Sequence, residues 1–230
     1  MKELKEKKIG YSEYAYFFGM LIFSLSSALM AKSGFGVSLT SAPAYVLYVK
    51  ASLTEAVTFG STEYTFQALV LLFLFALVGR WKKAYLFSFA SAVFYAFSLD
   101  AFINILNLIP TNIFIRIAYM VVAAVIAPLA LALLSHTYIT PYAYTFFQNE
   151  VAFRFSKDKI VVFWAYNIFN GLIAIGLSFY FFGVGRFVGV SIGTLLITLT
   201  CILLMRPWEN FIEKRYKFRD KSKKIKRHFK

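Results

Sequence analysis

Apolar residues run in long stretches along this chain, and six of the stretches approach the length of a membrane crossing. A helix needs about 20 mostly apolar residues to cover roughly 30 Å of hydrocarbon. Residues 14–31, 64–78, 84–106, 113–134, 160–182 and 187–205 fit that requirement, the second being somewhat short. The pattern predicts six transmembrane helices. The first reads as a retained anchor, because its apolar run is too long for a signal sequence and no small-residue cleavage pattern follows it. Two further stretches are neither clean spans nor ordinary loops. Residues 32–63 are interrupted by Gly34, Gly36, Pro43, Lys50 and Glu55, and residues 136–159 by Pro141, Glu150 and Arg154. Each reads as a turn followed by a short amphipathic or half-inserted helix.

The order is therefore span, short helix, span, span, and then the same again. This divides the chain into an N-terminal segment (1–12), a first membrane repeat (13–107), a second (112–205) and a polybasic C-terminal tail (206–230). A faint residue similarity accompanies the order: Ala28-Leu29 leading to Val37-Ser38 resembles Ala130-Leu131 leading to Ile139-Thr140. A unit with three crossings must enter the bilayer upside down when it is repeated. The expected fold is thus an all-α membrane protein of two inverted three-helix repeats, a plan common among secondary transporters.

Composition agrees. Hydrophobic residues make up 60% of the chain and charged residues 16%, with a mean hydropathy of +0.65. A soluble domain carries roughly a quarter charged residues. The net charge of +14 looks like a nucleic-acid signal until its place is checked, since 11 of the 25 Lys and Arg lie beyond Met205. Basic residues also sort between alternate connections. Lys2, Lys5, Lys7, Lys8, Arg80, Lys82, Lys83, Arg154, Lys157 and Lys159 fall on one side, against Lys32, Lys50 and Arg186 on the other. By the positive-inside rule both termini are expected in the cytoplasm and the protein in the plasma membrane.

The run Ala28-Leu29-Met30-Ala31-Lys32-Ser33-Gly34-Phe35-Gly36-Val37-Ser38 resembles the signature of the YczE/YitT-like bacterial integral membrane proteins. The resemblance extends over the membrane region, from about Tyr11 to Trp208, and implies the same two-repeat plan. It does not imply an activity. The Pro-Trp-Asp that usually follows in that family is replaced by Leu39, Thr40 and Ser41, so the acidic residue's role does not carry over.

Candidate chemistry lies in the few polar residues within the spans. Asp100 in the third span and Arg116 in the fourth sit at depths that would let them meet across the hairpin between those spans. An ionised carboxylate at mid-bilayer costs about 2.5–3.5 kcal/mol on insertion scales. The pair is either a charge site for a solute or coupling ion, or a structural ion pair. Asn167 and Asn170 share one face of the fifth span and either line a polar cavity, the favoured reading, or make interhelical hydrogen bonds. The turns at Gly34, Gly36 and Ser38 and at Pro141 are the candidate gates. Gly185, Gly189 and Gly193 recur every four residues, the small-residue pattern of helix packing. Lys221, Lys223, Lys224, Lys226, Arg227 and Lys230 form a tail suited to anionic lipid headgroups.

Two histidines and a single cysteine, Cys201, leave no basis for a zinc site, an intramolecular disulfide or a Cys-based cluster. No hydrolase set and no phosphate-binding loop is present, so neither an enzyme nor a cofactor is expected. Specific nucleic-acid binding is not expected either. The leading expectation is a small-solute permease or ligand-binding membrane subunit. A homo-oligomer or a separate energising subunit would be its partner. The other reading is a membrane accessory protein that holds another complex.

Overall fold

The computed structural model describes residues 8–54, 56–79, 83–139, 142–185 and 187–219. Pro141, Arg186 and the six tail residues from Lys221 to Lys230 lie outside them. Among the described residues the chain forms eight helices and two short strands. Strand β1 (Lys8–Tyr11) leads into α1 (Ser12–Ser33), α2 (Ala42–Ala51), α3 (Phe59–Val78) and α4 (Lys83–Asn107). There follow α5 (Ile113–Ser135), α6 (Ala143–Arg154), α7 (Lys159–Phe182), α8 (Ile192–Arg215) and β2 (Tyr216–Arg219). Six of the helices are long and apolar enough to cross a membrane, and the architecture fits a multi-pass membrane protein.

Local signals set the helix ends. Thr58 caps α3 by accepting from the Ser61 backbone N–H, and the Ser61 hydroxyl in turn accepts from the Thr58 N–H. Asn112 caps α5 and Asp158 caps α7 in the same way. Such caps satisfy N–H groups that a helix leaves free. Gly34 and Gly79 end α1 and α3 in the left-handed region, at φ 69° and 66°, where a side chain would be strained.

Helix α1 packs along α5 at the centre of the molecule, and small residues make that possible. Ala28 on α1 and Ala123, Ala127 and Ala130 on α5 are all buried. The Ser26 hydroxyl donates to the Ala123 carbonyl at 3.1 Å, and a side chain at Gly19 would run into Leu134. In lipid, close backbone approach of this kind replaces the hydrophobic drive that water would supply. Pro128 stays within α5.

The contacts have a pattern that survives exchange of the halves. Helix α1 packs on α4 as α5 packs on α8; α2 packs on α3 as α6 packs on α7; and α2 meets α7 as α6 meets α3. Helix α3 also runs along α4, whereas any counterpart between α7 and α8 is slight. Ser12, Ala42 and Phe59, which open α1, α2 and α3, precede Ile113, Ala143 and Lys159, which open α5, α6 and α7, by close to 100 residues each time.

Both boundaries of the last span differ from expectation. The last long helix starts at Ile192, five residues after Phe187, because Gly185 and Gly189 take φ values of 121° and 85° in the preceding connection. Helix α8 then continues past Met205 and through Pro207 to Arg215, so part of the expected tail is ordered. Strand β2 pairs in parallel with β1, Lys8 opposite Tyr216. His136 joins this corner, its Nε2 3.3 Å from a Glu213 carboxylate oxygen and its ring against Phe218.

Candidate functional site

Helices α2 and α6 both begin inside the protein and end at its surface. Helix α2 starts at buried Ser41 and Ala42 and reaches exposed Lys50; α6 starts at buried Tyr142 and Ala143 and reaches exposed Arg154. The two run to opposite ends of the bundle. Lys50 stands over Phe181 near the end of α7, whereas Arg154 leads into the start of that helix. Their N-termini, with unpaired N–H groups and positive dipole ends, therefore both point to the middle. This is the broken-helix arrangement that places backbone charge beside a buried site.

Polar side chains from α3 and α7 meet these N-termini. Glu63 and Gln67, one turn apart on α3, are both 0% exposed. The Ser41 hydroxyl donates to Glu63 Oε1 at 2.8 Å, and the Ala143 N–H donates to Gln67 Oε1 at 3.2 Å. On α7, Asn167 Oδ1 accepts from the Thr40 hydroxyl at 2.8 Å. Gln67 and Asn167 are each the ninth residue of their helix, Gln67 of α3 holding the N-terminal end of α6 and Asn167 of α7 that of α2.

Tyrosines close the rest of the cluster. Tyr95, Tyr142, Tyr144 and Tyr166 are buried, with Tyr144 5.8 Å from Tyr142 and 6.1 Å from Tyr166 between ring centres. The Tyr95 hydroxyl donates to Ser27 at 2.8 Å. Four polar atoms here make no hydrogen bond of full geometry, namely Glu63 Oε2, Gln67 Nε2 and the Tyr144 and Tyr166 hydroxyls, though Tyr144 lies beside Glu63 and Tyr166 beside Asn170. Buried polar atoms are nearly always paired, so four together set this cluster apart from the packing around it. A cavity of about 680 Å³ lies alongside, between α3, α6 and α7. Its walls are largely apolar, and Tyr166 and Asn170 reach it from the cluster side.

The candidates named from sequence fall in several places. Asn167 and Asn170 are buried, Asn167 within the central cluster and Asn170 at its edge. Asp100 and Arg116 do not bond to each other. The Asp100 carboxylate accepts from the Gly60 N–H at 2.8 Å and the Thr58 hydroxyl at 2.7 Å, seating it on the N-terminus of α3. Gly60 is what permits this, since a side chain there would strike Asp100 and the Ala96 carbonyl. The Arg116 Nε donates to the Ser33 carbonyl at 2.6 Å, and its guanidinium lies 5.2 Å from the centre of the Phe35 ring. Each charge thus completes a helix end.

The turn at Gly34, Gly36 and Ser38 is clamped against the connection before α8. Val37 N–H donates to the Gly189 carbonyl at 3.0 Å, Gly193 N–H to the Phe35 carbonyl at 2.8 Å, and the Ser191 hydroxyl to that same carbonyl. A cavity of about 240 Å³ adjoins it, lined by Gly34, Gly36 and Gly189 among others. The expected glycine stripe is corrected here. Gly185 and Gly189 belong to a loop, a side chain at Gly185 would meet open space, and only Gly193 lies on a helix. Gly189 and Gly193 do bring backbones together, against Ala42 and Phe35.

Glu63 was not among the sequence candidates. The second span was expected to begin at Tyr64, one residue later, which left Glu63 in a connection. Thr58 followed three residues on by Ser61 is the cap signal that moves the start back to Phe59, and with it Glu63 enters the helix one turn from Gln67.

No curated protein and no solved structure matches the chain. The likeness of Ala28–Ser38 to YczE/YitT-like proteins stays a resemblance. A family model matches residues 11–206, most of the chain and nearly all of its membrane region, and on that match the protein belongs to a family of unknown function (DUF6198).

Proposed function

We propose that this protein is a small-solute permease, or the ligand-binding membrane subunit of one, with its site where the N-termini of α2 and α6 meet. One observation carries the reading: at the junction of the two half-helices, buried Glu63 gathers with Gln67, Tyr144 and Tyr166, each with a polar atom that makes no hydrogen bond of full geometry. Asn170 and Tyr166, which also border the 680 Å³ cavity, would complete the solute's contacts. The exchange symmetry of the helix contacts supports an inverted duplication, and hence transport by rocking one half against the other around a fixed centre. The clamped turn at Gly34–Ser38 is the gate on one side, and the turn before α6 its counterpart. Basic residues sort by side as expected for a plasma-membrane protein with both termini in the cytoplasm, and the Lys221–Lys230 tail would rest on anionic lipid. Energy would come from an ion gradient or a separate subunit, and no catalytic role is assigned.

The test is a thermal-shift panel on detergent-purified protein with sugars, amino acids, vitamins and ions, run beside Asn170→Leu. A ligand at 100 times its dissociation constant stabilises a fold by about 2.7 kcal/mol. A ligand that shifts the wild type and not the variant supports the reading. No response to any solute, together with co-purification of another membrane complex, would favour the accessory role instead.

A further inference from the structure

The charges around Glu63 can be counted. Helix α2 presents Ser41 to the cluster, α4 presents Tyr95, α6 and the turn before it present Tyr144 and Tyr142, and α7 presents Tyr166. None carries a positive charge. The cations on the neighbouring helices are engaged elsewhere: Lys50 lies over Phe181, Arg116 donates to the Ser33 carbonyl, and Lys32 donates to Asn107 at 2.6 Å. Glu63 is thus a fully buried acid with one oxygen held by Ser41, while the other makes no hydrogen bond of full geometry and has the Tyr144 hydroxyl beside it.

A single carboxylate in a low-dielectric site matches a single positive charge. A divalent ion would leave one charge uncompensated, at the cost that buried unpaired charge carries, and such ions ordinarily take six or more oxygen ligands with several carboxylates among them. The oxygens at hand, those of Glu63, Ser41, Tyr144 and Tyr166, are one acidic and three neutral. We propose that Glu63 holds one exchangeable monovalent cation, a proton or an alkali ion, at the junction of the two half-helices. This deepens the carrier reading and rests on it, because an exchangeable ion here is what would link the site to a gradient.

The position also states what occupancy changes. Ser41 belongs to the first half and Tyr144 to the second, and both lie beside the same carboxyl group. A proton on Oε2 makes Glu63 a donor towards a neighbouring hydroxyl, whereas the bare anion only accepts. An alkali ion would draw the hydroxyl oxygens of both halves inward. Loading therefore alters the contact between the halves directly.

Infrared difference spectroscopy on the detergent-purified full chain tests this, with sodium, potassium or choline as the only cation at fixed ionic strength. A proton at the site gives the carbonyl stretch of a buried carboxylic acid in the wild type at neutral pH, lost in Glu63→Gln. An alkali ion gives instead a carboxylate band that shifts when sodium or potassium replaces choline, also lost in Glu63→Gln. Either result supports the proposal and tells the two cations apart. If Glu63→Gln does not assemble, Tyr144→Phe must move the same band. A wild type with neither band, or a band that ignores these substitutions, overturns the proposal. The solute panel keeps the two claims separate. Solute binding without any Glu63-dependent band removes the cation and leaves the carrier, and a Glu63-dependent band without a solute does the reverse.

Discussion

Glu63 and Asp100 are both acids within long apolar helices, and their surroundings assign them opposite roles. Asp100 has both oxygens filled by Gly60 and Thr58 at a helix N-terminus, where an anion is favoured by the dipole and by unpaired N–H groups. Asp100→Asn should lower stability by about 1–2 kcal/mol, the usual cost of weakening a cap, and leave the response to solute unchanged; thermal melts with and without ligand check both parts. The glycines separate in the same way. Gly193→Val puts atoms against Met120 and the Phe35 carbonyl and should cost about 1–3 kcal/mol or more from overpacking. Gly185→Ala meets open space and carries only the strain of φ 121°, about 1–3 kcal/mol. Expression and melting of the pair should rank Gly193→Val as the worse, and the opposite order would contradict the close approach of α8 to the Phe35 turn.

At the scale of elements, the long helices were legible because crossing a bilayer sets a length that the sequence must honour. Five of the six expected spans fall within five residues of the observed start and three of the observed end. The sixth differs at its end, because α8 continues ten residues past Met205, through Pro207 to Arg215, and its start is also five residues late, where Gly185 and Gly189 hold the apolar run in a loop. The half-helices were legible as interruptions by Gly, Pro and charge. Which way they point was not, since direction depends on where Ser41 and Tyr142 become buried, a tertiary matter. The same holds for Asp100 and Arg116. Their depth along the chain was readable, but depth does not tell which neighbour reaches a carboxylate first. The joint between α3 and α6 offers a prediction here. Gln67→Leu leaves the Ala143 N–H buried without an acceptor, which should cost about 1–3 kcal/mol. Faster hydrogen exchange should then appear in the first turn of α6 and not in α2.

At the scale of the whole molecule, the order of long and short helices was visible in sequence, while the contacts of α2 with α7 and of α6 with α3 were not. Under the inverted plan, the α2–α3 and α6–α7 connections lie on opposite faces. Single cysteines at Leu53 and Phe155, both exposed in those connections, test this on a Cys201→Ser background. A membrane-impermeant thiol reagent on intact cells should label Leu53→Cys and spare Phe155→Cys until the cells are opened. Labelling of both from outside would break the topology.

The central claim is that function resides at the half-helix junction around Glu63, and the most direct measurement compares Glu63→Gln with Asp100→Asn in one experiment. Melting temperature is read for wild type and both variants with the stabilising solute present and absent. The account predicts that Asp100→Asn melts a few degrees lower, at about 2–4 °C per kcal/mol for a chain of this size, and keeps its full shift with solute, while Glu63→Gln folds and loses the shift. A Glu63→Gln protein that responds like wild type, beside an Asp100→Asn protein that no longer responds, would contradict it.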